Sequence, residues 1–276
     1  MRKHPKLSNL TVWFGLFMVT IVVYPFSTKG ADSTFMLPSV VAQNQNLLAK
    51  LPDISSFRDV KVKKKAFFTA LYPIIEYENQ HLVKLRHATL VLQKINTDEL
   101  STVEYKWLEE MAKHYEVLAI PSNEDFFDLL LLKVDYIPPS LALTQAAIES
   151  GWGSSRFAKK GNNLFGQWCF IKGCGMVPSS RDSDKDHEVA KFKSVNASVR
   201  AYLHNLNTNT SFKSIRQTRA NIRKSNGVLT GTELAKSLQE YSAEGSLYVQ
   251  KLTKFINQNK LQRFTAQFEK SLIRLE

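Results

Sequence analysis

Cysteine is nearly absent from this chain of 276 residues, which has two, Cys169 and Cys174. No third or fourth ligand stands near them in the sequence, which argues against a metal site. Zinc-finger spacing, the phosphate-binding Walker loop and the glycine-rich dinucleotide fingerprint are all missing, and no cofactor is expected. Beyond residue 30 no stretch is long and apolar enough to span a bilayer. Acidic residues are also short: 25 Asp and Glu stand against 37 Lys and Arg, a formal net charge of +12. Such an excess suits an anionic partner, whether cell-wall glycan with its peptide carboxylates, nucleic acid or a membrane face.

The one apolar run of note lies at the start. Arg2, Lys3 and Lys6 precede a stretch from Leu10 to Tyr24, which ends at Pro25 and small or polar residues. About fifteen residues are too few for a membrane span, which needs ~20, but they suit a signal-peptide core. Residues 1–30 are therefore expected to direct export, with cleavage before Ala31. Lys29 is a poor neighbour for that cleavage, so an uncleaved membrane anchor stays open as the alternative. Export sets nucleic acid aside, and membrane contact is expected only through an uncleaved leader. The leader's four cations leave the remainder at +8. Nothing in the sequence bears on oligomeric state.

After an irregular lead-in, helical periodicity runs from Asp59 to Ile95, with a rough stripe of Val62, Ala66, Ala70, Ile74, Leu82 and Leu85. Pro73 should kink or split that helix. A second helix follows Thr97 with Val103, Trp107, Leu108 and Met111 on its apolar side, and Phe126 to Val134 forms a short third. Residues 31–124 read as lead-in and helical extension, a scaffold for a domain over 125–261, with 262–276 as a tail.

The stretch that carries chemistry is 137–168, IPPSLALTQAAIESGWGSSRFAKKGNNLFGQW. Pro138 and Pro139 can begin a helix but cannot continue one. Leu141, Gln145 and Ile148 follow at helical spacing, and Gly151 stands where a left-handed residue would close the helix. Glu149 thus falls in the last turn, at the negative pole of the helix dipole. With Trp152 expected to exclude water from it, such a carboxyl would keep its proton near neutral pH, as a general acid must. Beyond it, Trp152, Phe157, Leu164, Phe165 and Trp168 alternate with glycines and with Asn162, Asn163 and Gln167. Aromatic faces beside amides and bare backbone suit a sugar chain, although the same composition fits a loop that plugs the core. Gln145, Trp152, Asn163 and Phe165 are the candidate sugar-binding residues.

The segment ALTQAAIESGWGSSRFAKKGNNLFGQW resembles the motif of bacterial peptidoglycan glucosaminidases with a lysozyme-like fold. WCFIKGCGMVP, HEVAKF and SVRAYLHNLNTN are similar to the Bax-type branch of that family. The likeness extends from about Phe57 to Leu261. It implies a mainly α fold with a small β-hairpin, peptidoglycan glycan strands as partner, and Glu149 as catalytic acid. It implies a second catalytic carboxylate at Glu188, and a cleft-lining tyrosine at Tyr241, where Glu244 and Gly245 depart from the usual pattern. The expected activity is endo-acting N-acetylglucosaminidase. A lytic transglycosylase and a non-catalytic wall-binding scaffold are the alternatives; GNNLFGQW lacks the Gly-Leu-Met-Gln-like loop of the former.

Cys169 and Cys174, close together in an exported chain, favour a disulfide over free thiols. HEVAKF alternates as a strand with Glu188 and Ala190 on one face. Ser194 caps a helix carrying Val195, Val199, Tyr202, Leu203 and Leu206. Helices are expected from Ser211 to Lys224, from Glu233 to Tyr241 with Thr232 as cap, and finally one carrying Tyr248, Leu252, Phe255 and Ile256.

Overall fold

The computed structural model describes residues 36–43, 48–179, 187–239 and 245–273. The leader and Tyr241 lie outside them. The described residues from Leu37 onward form one compact unit. Its helices are α1 (Val60–Leu92), α2 (Thr102–His114), α3 (Phe126–Lys133), α4 (Pro139–Glu149), α5 (Arg156–Gly161), α6 (Val195–Thr208), α7 (Lys213–Lys224), α8 (Gly231–Ala235), α9 (Ser246–Gln258) and α10 (Gln262–Leu272). Among the described residues, no helix is long and apolar enough to cross a membrane.

Helix α1 begins at Asp59, whose Oδ1 accepts from the backbone N–H of Lys61 and Val62. It runs through Pro73 without a break. The expected split does not occur because Pro73 lies on the solvent face, where a long helix already bows outward and its carbonyls tilt toward water. Meanwhile Phe67, Leu71, Ile74, Ile75 and Leu85 are fully buried along the opposite side. The buried face matches the expected stripe in part: Ile74, Leu82 and Leu85 are buried, whereas Val62 is exposed. Helix α1 packs against α3, α4, α6 and α10. It forms one wall of the core into which α4 packs.

Helix α4 is the centre of that core. Pro139 occupies its first turn, and every residue from Pro139 to Ala147 is buried. At its end the N–H of Trp152 donates to the carbonyl of Ala147 and that of Gly151 to Ile148, 2.9 and 3.3 Å. This paired closure requires left-handed backbone after the helix, and Gly151 supplies it at φ 56°. The start of α4 is held from three sides. Asn79 of α1 pairs both ways with the backbone of Ile137. Ser140 bonds Gln262 and Thr265 of α10. Gly231 of α8 sits so close that a Cβ there would run into Ser140 and lie 2.9 Å from the nitrogen of Leu141.

That approach explains why Thr230, not Thr232, caps α8, its Oγ1 accepting from the N–H of Glu233. The glycine must lie inside the helix at the contact. Residues 262–272 are likewise not a loose tail, because Phe268 and Thr265 are buried against the core.

The connection into α4 carries a buried ion cluster. Asp135 is paired by Arg223 through two bonds of 3.0 Å, with Arg86 at 3.7 Å and Arg219 at 3.8 Å. Arg219 also donates to the carbonyls of Leu132 and Lys133, and Arg86 to Leu131 and Val134. The arginines thus satisfy the open carbonyls at the end of α3, and Asp135 balances their charge. Burial pushes the Asp135 carboxyl up, but Arg219, Arg86 and Arg223 together pull it below the ordinary value.

The sheet has three short strands, β1 (Trp168–Cys169), β2 (Gly175–Met176) and β3 (Glu188–Ala190), with β3 central and antiparallel to both neighbours. All three residues of β3 are buried, because strands flank it on both edges.

Candidate functional site

A cleft of about 800 Å³ opens along the C-terminal end of α4. Gln145 and Glu149 come from α4, Phe165 to Trp168 from the following loop and β1, Phe170 from the β1–β2 loop, and Tyr202, Asn205 and Thr208 from α6. Glu149 is exposed at its wall.

A directed line of hydrogen bonds ends on Glu149. Tyr202 Oη donates to Gln145 Oε1 at 2.6 Å. Gln145 Nε2 donates to Tyr248 Oη at 3.2 Å, and Tyr248 Oη donates to Glu149 Oε1 at 3.2 Å. Tyr202, Gln145 and Tyr248 are all buried. Phe165 lies flat against Tyr202, ring centres 3.9 Å apart and 10° from parallel, which fixes the first donor. The sequence placed Tyr202 and Tyr248 on apolar helix faces and missed this role. The signal was present: a tyrosine buried by its ring still needs a partner for its hydroxyl.

Of the candidate sugar-binding residues, Gln145 and Phe165 line the cleft. Asn163 is buried, and both ends of its amide are used by the chain itself. Its Nδ2 donates to the carbonyls of Gln167 and Ala190, while its Oδ1 accepts from the N–H of Phe165 and Gln167. It shapes the loop that presents Phe165. Trp152, at φ 61°, turns away into a cluster with Phe67, Phe68 and Phe255, ring centres 5.3–5.6 Å apart. It does not shield Glu149 from water, contrary to the sequence expectation.

Glu188 lies apart from the cleft lining. It is 5% exposed, its Oε1 accepting from the N–H of Gly173 at 3.0 Å and its Oε2 from Gly175 at 2.8 Å. Cys169 and Cys174 are joined, as expected, with Cα atoms 6.2 Å apart. Both sulfurs lie within 4.8 Å of a Glu188 oxygen, but sulfurs bonded to each other offer no thiolate to a metal.

Residues 130–261 match the family model "Glucosaminidase: Mannosyl-glycoprotein endo-beta-N-acetylglucosaminidase". The chain is 34% identical over 208 residues to "Protein bax" of Escherichia coli (strain K12), covering 75% of this chain and 73% of that protein. It is similar also to the crystal structure of the catalytic domain of the autolysin Auto from Listeria monocytogenes, with 21% identity and a TM-score of 0.37 over 63% of this chain and 93% of that one.

Proposed function

From the premise that the chain belongs to the Bax-type glucosaminidases, we propose that it is an exported, endo-acting N-acetylglucosaminidase that cleaves β-1,4 links in peptidoglycan glycan strands. Its Glu149 is the general acid. The line Tyr202–Gln145–Tyr248–Glu149 carries this reading, because it aims polarised donors at one carboxyl on the wall of a long cleft.

The acid's proton, carried on Oε2 while Oε1 accepts from Tyr248, passes to the glycosidic oxygen as the bond to the anomeric carbon breaks. Negative charge then appears on Glu149, and the Tyr248 hydroxyl bond becomes charge-assisted and stronger. The dipole at the end of α4 opposes that charge, which keeps the proton on Glu149 until the glycosidic oxygen takes it and draws it back afterwards. The positive charge on the sugar needs a partner. Both oxygens of Glu188 are occupied by loop N–H groups, which supports the route in which the substrate's own 2-acetamido group closes on the anomeric carbon. Glu149, now a carboxylate, takes a proton from the water that reopens that ring.

The net charge, +12 with the leader and +8 without it, draws the protein to a wall rich in peptide carboxylates. Delivery through residues 1–30 places it in the periplasm or cell envelope, or holds it at the inner membrane if the leader stays on. Incubating purified sacculi with the protein tests the activity. New reducing N-acetylglucosamine ends are the expected product, whereas anhydro-muramyl ends mean a transglycosylase and no new ends a binder. Glu149→Gln keeps the side chain's shape without its proton and lowers the rate by about 10²- to 10⁴-fold; an unchanged rate refutes Glu149 as the acid.

A further inference from the structure

Strand β1 and the β1–β2 loop set large apolar side chains in water: Trp168 is 56% exposed, Phe170 76% and Ile171 78%. Exposed clusters of this kind mark contact surfaces, and Trp168 and Phe170 line the same cleft as Glu149. The loop beneath them is tied down repeatedly. The Cys169–Cys174 bridge closes it, and the N–H of Cys174 returns to the carbonyl of Ile171 at 3.0 Å. The buried Glu188 carboxylate grips Gly173 and Gly175 from the neighbouring strand, where it sits opposite Cys169. His187 lies parallel to the indole of Trp168, ring centres 4.1 Å apart, which sets that ring's plane. So much restraint under exposed rings has the form of a prepared binding face, since ordering the loop beforehand removes that cost from binding.

We propose that the disulfide-closed loop Cys169–Cys174 is a stacking platform for β-1,4-linked N-acetylhexosamine chains, presenting Trp168 and Phe170, and that Glu188 is its positioning residue rather than a second catalytic carboxylate. The apolar faces of successive sugar rings lie on the two aromatics, placing a glycosidic oxygen at Glu149. The platform's role in catalysis rests on the reading of Glu149 as the acid. The platform itself is a binding property, and it works only while the bridge is oxidised.

The test compares Glu188→Gln, the double variant Cys169→Ser/Cys174→Ser, Trp168→Ala and Phe170→Ala on soluble glycan strands. In each, KM should rise roughly tenfold or more, the scale of losing an aromatic interface anchor. kcat should stay within about threefold, as expected when binding common to ground and transition states is removed. The pH–rate profile of Glu188→Gln should keep the wild-type shape, and adding the cysteine changes to it should cost little more. Wild type treated with a reductant should behave like the cysteine variant, which keeps the test alive if Glu188→Gln does not fold. A kcat loss of about 10²-fold or more in Glu188→Gln, with one limb of the profile gone, is the mark of a catalytic base and overturns the proposal. So does an unchanged KM in the ring and cysteine variants. If the wild type hydrolyses nothing, the enzymatic reading falls. Calorimetric binding of a β-1,4 N-acetylglucosamine hexamer then decides the platform: weakened binding in Trp168→Ala and Phe170→Ala supports it, and equal binding overturns it.

Discussion

Replacing Asp135 by Asn removes one negative charge and almost no volume, and the structure fixes what that leaves behind. Arg219 is buried to 1% exposure of its side chain, and Arg86 and Arg223 keep 20% and 37%. Burial already lowers the Arg219 guanidinium to about 10 against the pull of Asp135, which raises it. Without that carboxylate, three cations face one another around an amide. Breaking a buried pair from one side costs about 3–5 kcal/mol, a large share of the 5–15 kcal/mol that holds a typical domain folded. At roughly 2–4 °C per kcal/mol for a chain of this size, the melting temperature should fall by on the order of 6–20 °C.

The pH dependence supplies a second check. Asp135 has a folded pKa below its unfolded value, so its contribution is complete above the unfolded value of about 3.9 and fades as pH falls through the folded one. Thermal unfolding of wild type and Asp135→Asn from pH 7 downward should show a gap that is constant to about pH 5 and then narrows. A variant within about 1 kcal/mol of wild type at pH 7, or a gap that widens in acid, refutes the argument.

Tyr248→Phe strands the Gln145 amide and removes the donor to Glu149. It should cost about 1–3 kcal/mol in denaturant unfolding. It should also lower kcat on glycan about tenfold, since bonds to charged groups are the stronger ones; an unchanged kcat would show that the hydroxyl line does not serve the acid. Trp152→Ala opens a hole between Phe67, Phe68 and Phe255. Because the indole is only half-buried, about 2–3 kcal/mol of stability should go, less than for an enclosed ring. KM for glycan, measured where the variant is folded, should not move; a rise would return Trp152 to the substrate.

Helix α4 was legible because its punctuation is local: Pro138 and Pro139 before it and Gly151 after it act through backbone geometry that no distant contact overrides. Glu149 followed from counting along that helix. The side chains around it were less legible, because sequence distance says nothing about direction. Trp152 is three residues from Glu149, yet left-handed backbone at 151, 152 and 153 swings it into α1 and α9. Asn163 and Glu188 show the same limit for polar groups. Each looked free to meet a sugar, and each is used by backbone that lacked partners: Asn163 by the loop before β1, Glu188 by the loop after it. A buried strand or tight loop must satisfy its N–H groups, and the nearest amide or carboxylate is taken for that task first.

The boundary near residue 125 had a related cause. Residues 31–124 carry no chemical motif, so they read as separate from the stretch that does. The contacts tie them to it. Asn79 holds the residue before Pro138, and Phe67 and Phe68 receive the tryptophan that follows α4. Glu78 of α1 pairs with Arg200 of α6 at 2.9 Å, two residues from Tyr202. From the other end of the chain, Thr265 bonds Ser140. The backbone of α4 is thereby held by α1 and α10, both outside the 130–261 span that matches the family. The side chain of Glu149, at the open end of that helix, is aimed by Tyr248 of α9. A carboxyl that is to transfer a proton needs a fixed backbone and an oriented side chain together. In this fold the first comes from segments without a motif and the second from a tyrosine hidden on an apolar face.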